Sequence, residues 1–368
     1  MHITGWTQDR GACTRIRIWQ PLKRIARLGL AEVHLLELSD DNPDGIIDKT
    51  DIALIGRTAG PNAVSVIKRL QSKGKKVVYD LDDNYMAIHP LSPHYKSLGI
   101  MPVEMLSADG KTATPMWVDK VRGFDLRRNR DVRKAFPEIL RTVDAMTVTN
   151  EQLQKIYSRF NDNVFVTPNA IDFREWGGAI SKHPGKDVRV LYTGAANHQE
   201  DFLWVRKPLE ELQKKHDNVT IVFVGTDWKH MGNDLDYNRV EVHAWVDIDA
   251  YPYLMKSLAC HIGIAPISES SFNDCRSELK WMEYSALKMA TVATNYGPYK
   301  RSMVDGKTGL LVMEQDEWLD ALSTLVEKPR LRNMLGRNAY REVWRKHNLD
   351  FVVETWMKVF ADLMVPRK

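Results

Sequence analysis

Arg276, Lys280 and Glu283 stand at i, i+4 and i+7 in the run NDCRSELKWMEYSALKMATVAT (273–294). If that run is a helix, the two cations and the carboxylate share one stripe, and Leu279, Met282, Ala286 and Met289 form the opposite, buried side. The helix is expected to begin between Asn273 and Ser277, whose side chains can cap it. A cation in the first turns of a helix is opposed by the helix dipole. Arg276 and Lys280 make sense there if an anion such as a diphosphate is held beside them. Glu283, a turn further in, is an acceptor-only group suited to the two hydroxyls of a ribose. The competing reading is a solvated charged face whose three members pair with one another.

Residues at other strand ends extend this chemistry. LYTGAANHQED (191–201) runs a strand through a small-residue turn into a helix, whose N-terminal N–H groups can receive a phosphate. Gly194 and His198 are its candidates, and His198 either touches the phosphate or caps the helix. The turn is not G-x-G-x-x-G, which argues against a nicotinamide-type site. In VFVGTDW (222–228), Gly225 follows a buried strand, either as a plain turn glycine or where a ligand meets backbone closely. Trp245, near the end of VEVHAWV (240–246), joins these candidates. YDLDDNY (79–85) sets Asp82 and Asp83 at a strand end, either meeting a ligand or as hydrogen-bonded loop residues. Asp80-Leu81-Asp82 is also a D-x-D, which keeps a divalent metal as a lesser alternative. His89 is either a further site group or a structural histidine.

These residues need strands to deliver them, and the chain alternates accordingly. VHLLEL (33–38), DIALIGR (51–57), KVVYDL (76–81) and DAMTVTN (144–150) read as strands, and NVFVTPNAID (163–172) as a strand plus turn. A basic amphipathic helix is expected over 15–29, kinked near Pro21, with further helices at 62–74 and 151–160. The stretch from about 84 to 140 fits this alternation poorly. After the Gly- and Pro-containing run 177–187 the alternation restarts, with strands at 188–194, 218–225, 240–246, 260–267 and 291–295, and helices from about 315 onward. Two runs of strand–helix alternation predict two doubly wound α/β domains, with sites at the carboxyl ends of the strands. The expected division is 1–176, a linker over 177–187, 188–345, and a C-terminal helix over 346–368 packing toward the first domain.

A length of 368 residues suits two domains, and 43% apolar with 27% charged residues suits a soluble globular chain. No apolar run approaches the ~18 residues of a membrane span, and Asp9, Arg10, Arg15 and Arg17 interrupt any signal-peptide layout. Cys13, Cys260 and Cys275 form no Cys-x-x-Cys pair, so a cytoplasmic, reducing setting is expected. The net charge of +4 is mild.

Three stretches resemble glycosyltransferase family 4, a group of the GT-B enzymes. VTPNAID (166–172) is similar to the segment that ends the first domain of that family, with Ala170 in place of a glycine. EYSALKMATVAT (283–294) and YGPYKRSMVDGKTGLLV (296–312) resemble its E-A-x-A-x-G-x-P-V-V-A-T element and the G-x-T-G element that follows. The resemblance implies the GT-B fold: two Rossmann-like domains facing a cleft, a nucleotide-sugar bound there, and retaining transfer of a hexose to a hydroxyl acceptor. Glu283 matches the second glutamate of the family's E-x7-E motif, which holds the ribose. Cys275 stands where the first glutamate is usual, which leaves the sugar undefined. The family's arginine and lysine after the first strand of the second domain are missing from GAANHQED, and Arg276 and Lys280 are expected to supply that charge. Gly11, Thr14 and Arg15 lie in the loop that faces the donor diphosphate in this fold. No cofactor is expected beyond the donor, with a UDP-sugar favoured.

By the same resemblance the first domain is left to hold the acceptor, with Asp82 and Asp83 as acceptor-orienting carboxylates and His89 as a further acceptor-side candidate. The run DKVRGFDLRRNRDVRK (119–134) carries Lys120, Arg122, Arg127, Arg128, Arg130, Arg133 and Lys134 against three aspartates. With the basic helix at 15–27 it suggests a platform for an anionic partner: a nucleic acid, including DNA with hydroxylated bases, a phosphorylated polymer or an anionic lipid headgroup. A surface saccharide is the other acceptor class, and a solvated helix face is the plainer account of the charge. Two rival functions share the donor site. A nucleotide-sugar epimerase would need no acceptor, and a binding module would have no turnover to lose.

Overall fold

The computed structural model describes residues 1–7, 11–37, 43–57, 62–90, 92, 94–106, 112–177, 185–195, 198–228 and 234–365. It divides into two compact units, Met1–Ala170 with Leu349–Lys368, and Ile171–Asn348. Most of the expected linker, residues 178–184, lies outside the described residues.

In the first unit β1 (His2–Thr7), β2 (Glu32–Glu37), β3 (Ile52–Gly56) and β4 (Lys76–Leu81) precede a two-stranded antiparallel hairpin, β5 (Val103–Leu106) and β6 (Ala113–Trp117), and then β7 (Ala145–Val148) and β8 (Val164–Val166). The parallel sheet runs in the order β2-β1-β3-β4-β7-β8. Covered on both faces, its central strands are near-continuous apolar runs. Ile3, Leu54 and Val78 pack with Leu22 and Ile25 of the helix Gln20–Arg27 and with Trp356 and Phe360 of the helix Leu349–Met364.

One buried cation organises this core. Arg17 reaches Asp80 through Nη2 (2.6 Å) and Nε (3.1 Å), and donates through Nη1 to the Thr167 carbonyl (2.5 Å) and Asn169 Oδ1 (3.2 Å). Thr147 Oγ1 donates to the same Asp80 carboxylate (2.7 Å). Asp80-Leu81-Asp82 therefore does not offer two open carboxylates to a metal: Asp80 is spent on Arg17. Two cations of the basic helix are taken up by the chain itself: Arg17 is buried, and Arg24 pairs with Asp350 at 2.7 Å, while Lys23 and Arg27 are exposed.

The helix is irregular where the sequence places its kink: a π-helical turn, Arg15–Trp19, runs directly into Gln20–Arg27, whose second residue is Pro21.

The second unit contains β9 (Val188–Gly194), β10 (Val219–Gly225), β11 (Val240–His243), β12 (Ile262–Ala265), β13 (Ala290–Thr294) and β14 (Leu310–Val312), all parallel, in the order β11-β10-β9-β12-β13-β14. Both sheets are the doubly wound α/β arrangement expected from the sequence. The unit boundaries fall at 170/171 and 348/349 rather than at 176 and 345, because Ile171 donates its N–H to the His347 carbonyl (2.7 Å) and bridges Asn348. Trp176 packs edge-on against Tyr251 of the same unit.

Candidate donor site

The site lies at the carboxyl ends of β9, β10 and β12. The run that opened the sequence reading is not one helix. Asn273–Cys275 forms a single 3₁₀ turn, Arg276 is extended (φ −68°, ψ 164°), and the helix begins at Leu279. Arg276 thus stands outside the helix and Lys280 in its first turn. The helix has no solvated face to share: Trp281, Met282, Glu283, Tyr284, Ser285 and Ala286 are all buried. Leu279, expected on the buried side, is only half-buried.

Arg276 and Lys280 converge on His198, across from the end of β9. Arg276 Nη2 lies 3.2 Å from His198 Nε2, and Lys280 Nζ lies 3.3 Å from His198 Nδ1. His198 Nδ1 is also 2.8 Å from Asp201 Oδ2. Asp201 Oδ1 accepts the Ser268 N–H at 2.9 Å, tying the helix Gln199–Lys215 to the loop after β12. Lys280 sits over the Tyr192 ring at 5.3 Å.

Burial, then the charges of Lys280 and Arg276, push His198 down to about 3. Burial opposes the Asp201 charge, but the His198 hydrogen bond and the two cations hold that carboxyl at about 2. At neutral pH the pair is therefore a neutral imidazole on a carboxylate. A carboxylate can only accept, so Nδ1 carries the proton and Nε2 is left to accept from Arg276. Burial brings Lys280 down to about 8. In this cluster two cations face one carboxylate, an excess suited to an anion.

Glu283 is buried and accepts from Tyr251 Oη at 3.3 Å, and burial raises its carboxyl to about 8. Tyr251 lies 6.5 Å, ring to ring, from Trp245, which is 54% exposed. Trp245 covers Gly225. A Cβ on Gly225 would meet the Gly194 carbonyl oxygen at 2.6 Å and Trp245 Cζ2 at 2.8 Å, and its φ of +104° excludes an ordinary side chain. Gly194, His198, Gly225, Trp245, Arg276, Lys280 and Glu283 are thus gathered at one edge of one sheet. Asp201 and Tyr251 join them, unforeseen from the sequence. Asp201 stands three residues after His198, at the spacing of a helix contact, and was legible in principle.

The first-unit candidates form a separate group. Gly11 precedes the short helix Ala12–Thr14 and accepts the Arg15 N–H (2.9 Å). Asp82 is buried with Arg57 Nη1 at 3.8 Å. Arg57 also reaches His94 Nε2 (3.1 Å) and Thr14 Oγ1 (3.4 Å). Arg57 has φ +42°, a strained backbone at a strand end. Asp82 Oδ1 and Tyr85 Oη are buried and find no hydrogen-bond partner among the described residues. The Asp83 side chain is half-buried and its carbonyl accepts from Tyr157 Oη (2.9 Å). His89 is half-buried, and Arg57, which also reaches His94, stands against Asp82.

Fold and site define a class: a GT-B chain whose second unit presents cations and a buried glutamate at its strand ends. Residues 187–328 match the family model described as Glycosyl transferases group 1. A 93-residue stretch is 31% identical to D-inositol 3-phosphate glycosyltransferase of Paenarthrobacter aurescens (strain TC1), covering 24% of this chain and 22% of that protein. The match therefore spans about a fifth of that relative's length. Sucrose-phosphate synthase (tll1590) from Thermosynechococcus elongatus shares the fold at a TM-score of 0.65 and 14% identity, over 99% of both chains. Anabaena Alr3699/HepE in complex with UDP and glucose does so at 0.63 and 13%, over 98% of this chain and all of that one. Together these findings bear out a GT-B chain resembling glycosyltransferase family 4.

Proposed function

We propose that the chain transfers a hexosyl unit, with retention, from a UDP-sugar to a saccharide hydroxyl. The observation that carries this reading is the convergence of Arg276 and Lys280 on the His198–Asp201 pair. In such a transfer, negative charge builds on the departing phosphate oxygen and positive charge on the sugar ring. Fixed cations at that oxygen favour the transition state over the ground state. Arg276 and Lys280 take the diphosphate, Glu283 takes the ribose hydroxyls, and Trp245 lies against the base. The backbone at Gly194 and Gly225 lets the donor approach. Gly11 and Arg15 are assigned to the donor diphosphate on the family resemblance.

Asp82, whose buried Oδ1 accepts no hydrogen bond among the described residues and has the Arg57 guanidinium at 3.8 Å, and Asp83 are assigned to the acceptor. In a retaining front-face route the leaving phosphate takes the acceptor's proton, and no dedicated protein base is needed. UDP is favoured because the Anabaena HepE structures hold UDP, UDP and glucose, or UDP-glucose. A saccharide acceptor is favoured because S. aureus TarM was solved with fondaparinux, α-GlcNAc-glycerol and UDP. A hydroxylated DNA base has no such support.

The test is a thermal-shift screen of UDP, GDP and their sugars, followed by turnover with the stabilising donor. Stabilisation by UDP, and slow donor hydrolysis or transfer lost on Arg276→Ala, is the expected result. Sugar epimerisation without acceptor would establish the epimerase instead. UDP binding with no turnover of any donor would leave a binding module.

A further inference from the structure

The basic run at 119–134 is used by neither the donor nor the acceptor reading. In the structure it borders a small module built on three rings: Tyr95, Trp117 and Phe124 lie 5.7–6.2 Å apart, centroid to centroid. Around this knot four large apolar side chains remain in solvent, Met101 at 63%, Val121 at 46%, Ile100 at 39% and Val118 at 38% exposure. Scattered apolar residues on a surface mean little, but these adjoin. The antiparallel register Val103↔Trp117 sets the residues before Val103 beside those after Trp117.

The loop carrying Val118 and Val121 is closed on itself. Val121 N–H donates to the Val118 carbonyl (3.0 Å), Lys120 N–H to the Phe124 carbonyl (2.8 Å), and Leu126 N–H to Asp119 Oδ1 (2.9 Å). Lys120 (φ +67°) and Arg122 (φ +49°) both adopt the left-handed conformation, which is strained for an L-residue. Strained backbone of this kind persists where the surroundings over-determine it.

Cations ring the apolar tips. Lys96, Lys120, Arg122, Arg127, Arg128 and Arg130 are exposed, and residues 95–134 hold nine Lys and Arg against five Asp and Glu. Arg127 and Arg128 occupy the first turn of the 17-residue helix Leu126–Thr142, which holds no acidic residue in that turn. Asp125 caps that turn by accepting the Arg128 N–H (2.9 Å) and pairs with Lys120, while the Arg127 and Arg128 side chains stand exposed beside it. Arg133 is not part of this set: its guanidinium is committed to the carbonyls of Tyr85 (2.5 Å) and Met86 (3.2 Å).

A nucleic-acid backbone would use the cations and gain nothing from the apolar tips. A lipid surface uses both: apolar side chains enter the acyl boundary while arginines meet headgroup phosphates. We propose that this module seats the chain on an anionic lipid bilayer, with Met101, Val118 and Val121 inserted and Arg122, Arg127 and Arg128 on the phosphates. The described residues contain no helix long and apolar enough to cross a membrane, so this seat is interfacial. The proposal does not depend on the donor site.

Co-sedimentation of the full chain with sucrose-loaded vesicles tests it. The chain is expected to pellet with vesicles of equal phosphatidylglycerol and phosphatidylcholine, and not with phosphatidylcholine alone. Arg127→Glu with Arg128→Glu is expected to lower the partition coefficient at least about tenfold. Met101→Asp with Val121→Asp keeps every cation and is expected to lower it comparably. Met101→Ser with Val121→Ser serves as the milder pair, and an unchanged urea midpoint confirms folding. Absence of binding to the anionic vesicles overturns the proposal. So does an unchanged partition of the Met101/Val121 variants, or binding to duplex DNA that needs the arginines and ignores Met101 and Val121.

Discussion

His198 accepts from Arg276 because Asp201 occupies its other nitrogen: Nε2 lies 3.2 Å from the Arg276 Nη2, while Nδ1 lies 2.8 Å from the Asp201 carboxylate. A protonated imidazole would repel both cations. The carboxylate fixes the tautomer, the tautomer fixes the guanidinium, and the guanidinium is thereby aimed before any ligand arrives.

The direct test of that arrangement is removal of its cation. Arg276→Ala is expected to lower kcat/KM for the nucleotide-sugar by about a hundredfold or more. It should abolish thermal stabilisation by UDP while leaving any stabilisation by uridine in place. Equal loss of both would place the diphosphate elsewhere.

Glu283 makes a prediction in pH. Its carboxyl is raised by burial from 4.5 to about 8, so between those values the folded chain keeps a proton that the unfolded chain has released. Stability from this group is present at low pH and falls as pH rises through that window. Glu283→Gln is neutral throughout. The urea midpoint of the variant should decline less across the window than that of the parent. Asp201 acts in the other direction and lower down, losing its contribution as the solution is acidified toward about 2.

Trp245 is half in solvent beside Gly225 and Tyr251, and a stacked base would cover it. Trp245→Ala is expected to weaken UDP binding about tenfold by calorimetry, the scale of a lost stacking contact. Binding of ribose 5-phosphate, which has no base, should not change. Parallel losses for both ligands would refute a role at the base.

Arg17 and Asp80 support the fold rather than the chemistry. Arg17→Met leaves the Asp80 carboxylate buried and is expected to destabilise the chain by about 3–5 kcal/mol in urea. The double variant with Asp80→Leu should recover part of that loss, since the uncompensated charge is gone.

The sequence carries most sheet strands, because both sheets are buried on both faces and such strands are unbroken apolar runs. It does not show β1, whose apolar run is broken by Thr4, Gly5 and Thr7, or β14, which is three residues long. It carried Lys280 and Glu283 into one helix but mistook where that helix starts. Asn273 and Ser277 offered capping side chains, yet the chain makes a 3₁₀ turn and an extended residue before Leu279. Arg276 reaches the site because it is outside the helix, in a conformation no periodicity reveals. Asp80-Leu81-Asp82 looks like a metal motif in the sequence because the partner of Asp80, Arg17, is 63 residues away. Arg57 looks ordinary until β3 and β4 bring it to Asp82, and His94 joins the group through Arg57. The hairpin β5–β6 was not read at all, since its residues alternate too weakly and only a ring cluster built from distant positions steadies it.

Leu349–Met364 completes the core of the first unit, with Trp356 and Phe360 lying against Leu22 and Ile25. That helix leaves the ribosome only after every residue of Ile171–Asn348. The half that is made first is therefore the half that finishes last: its nascent core waits, with an oily flank uncovered, while the later half already holds all the strands it needs to close.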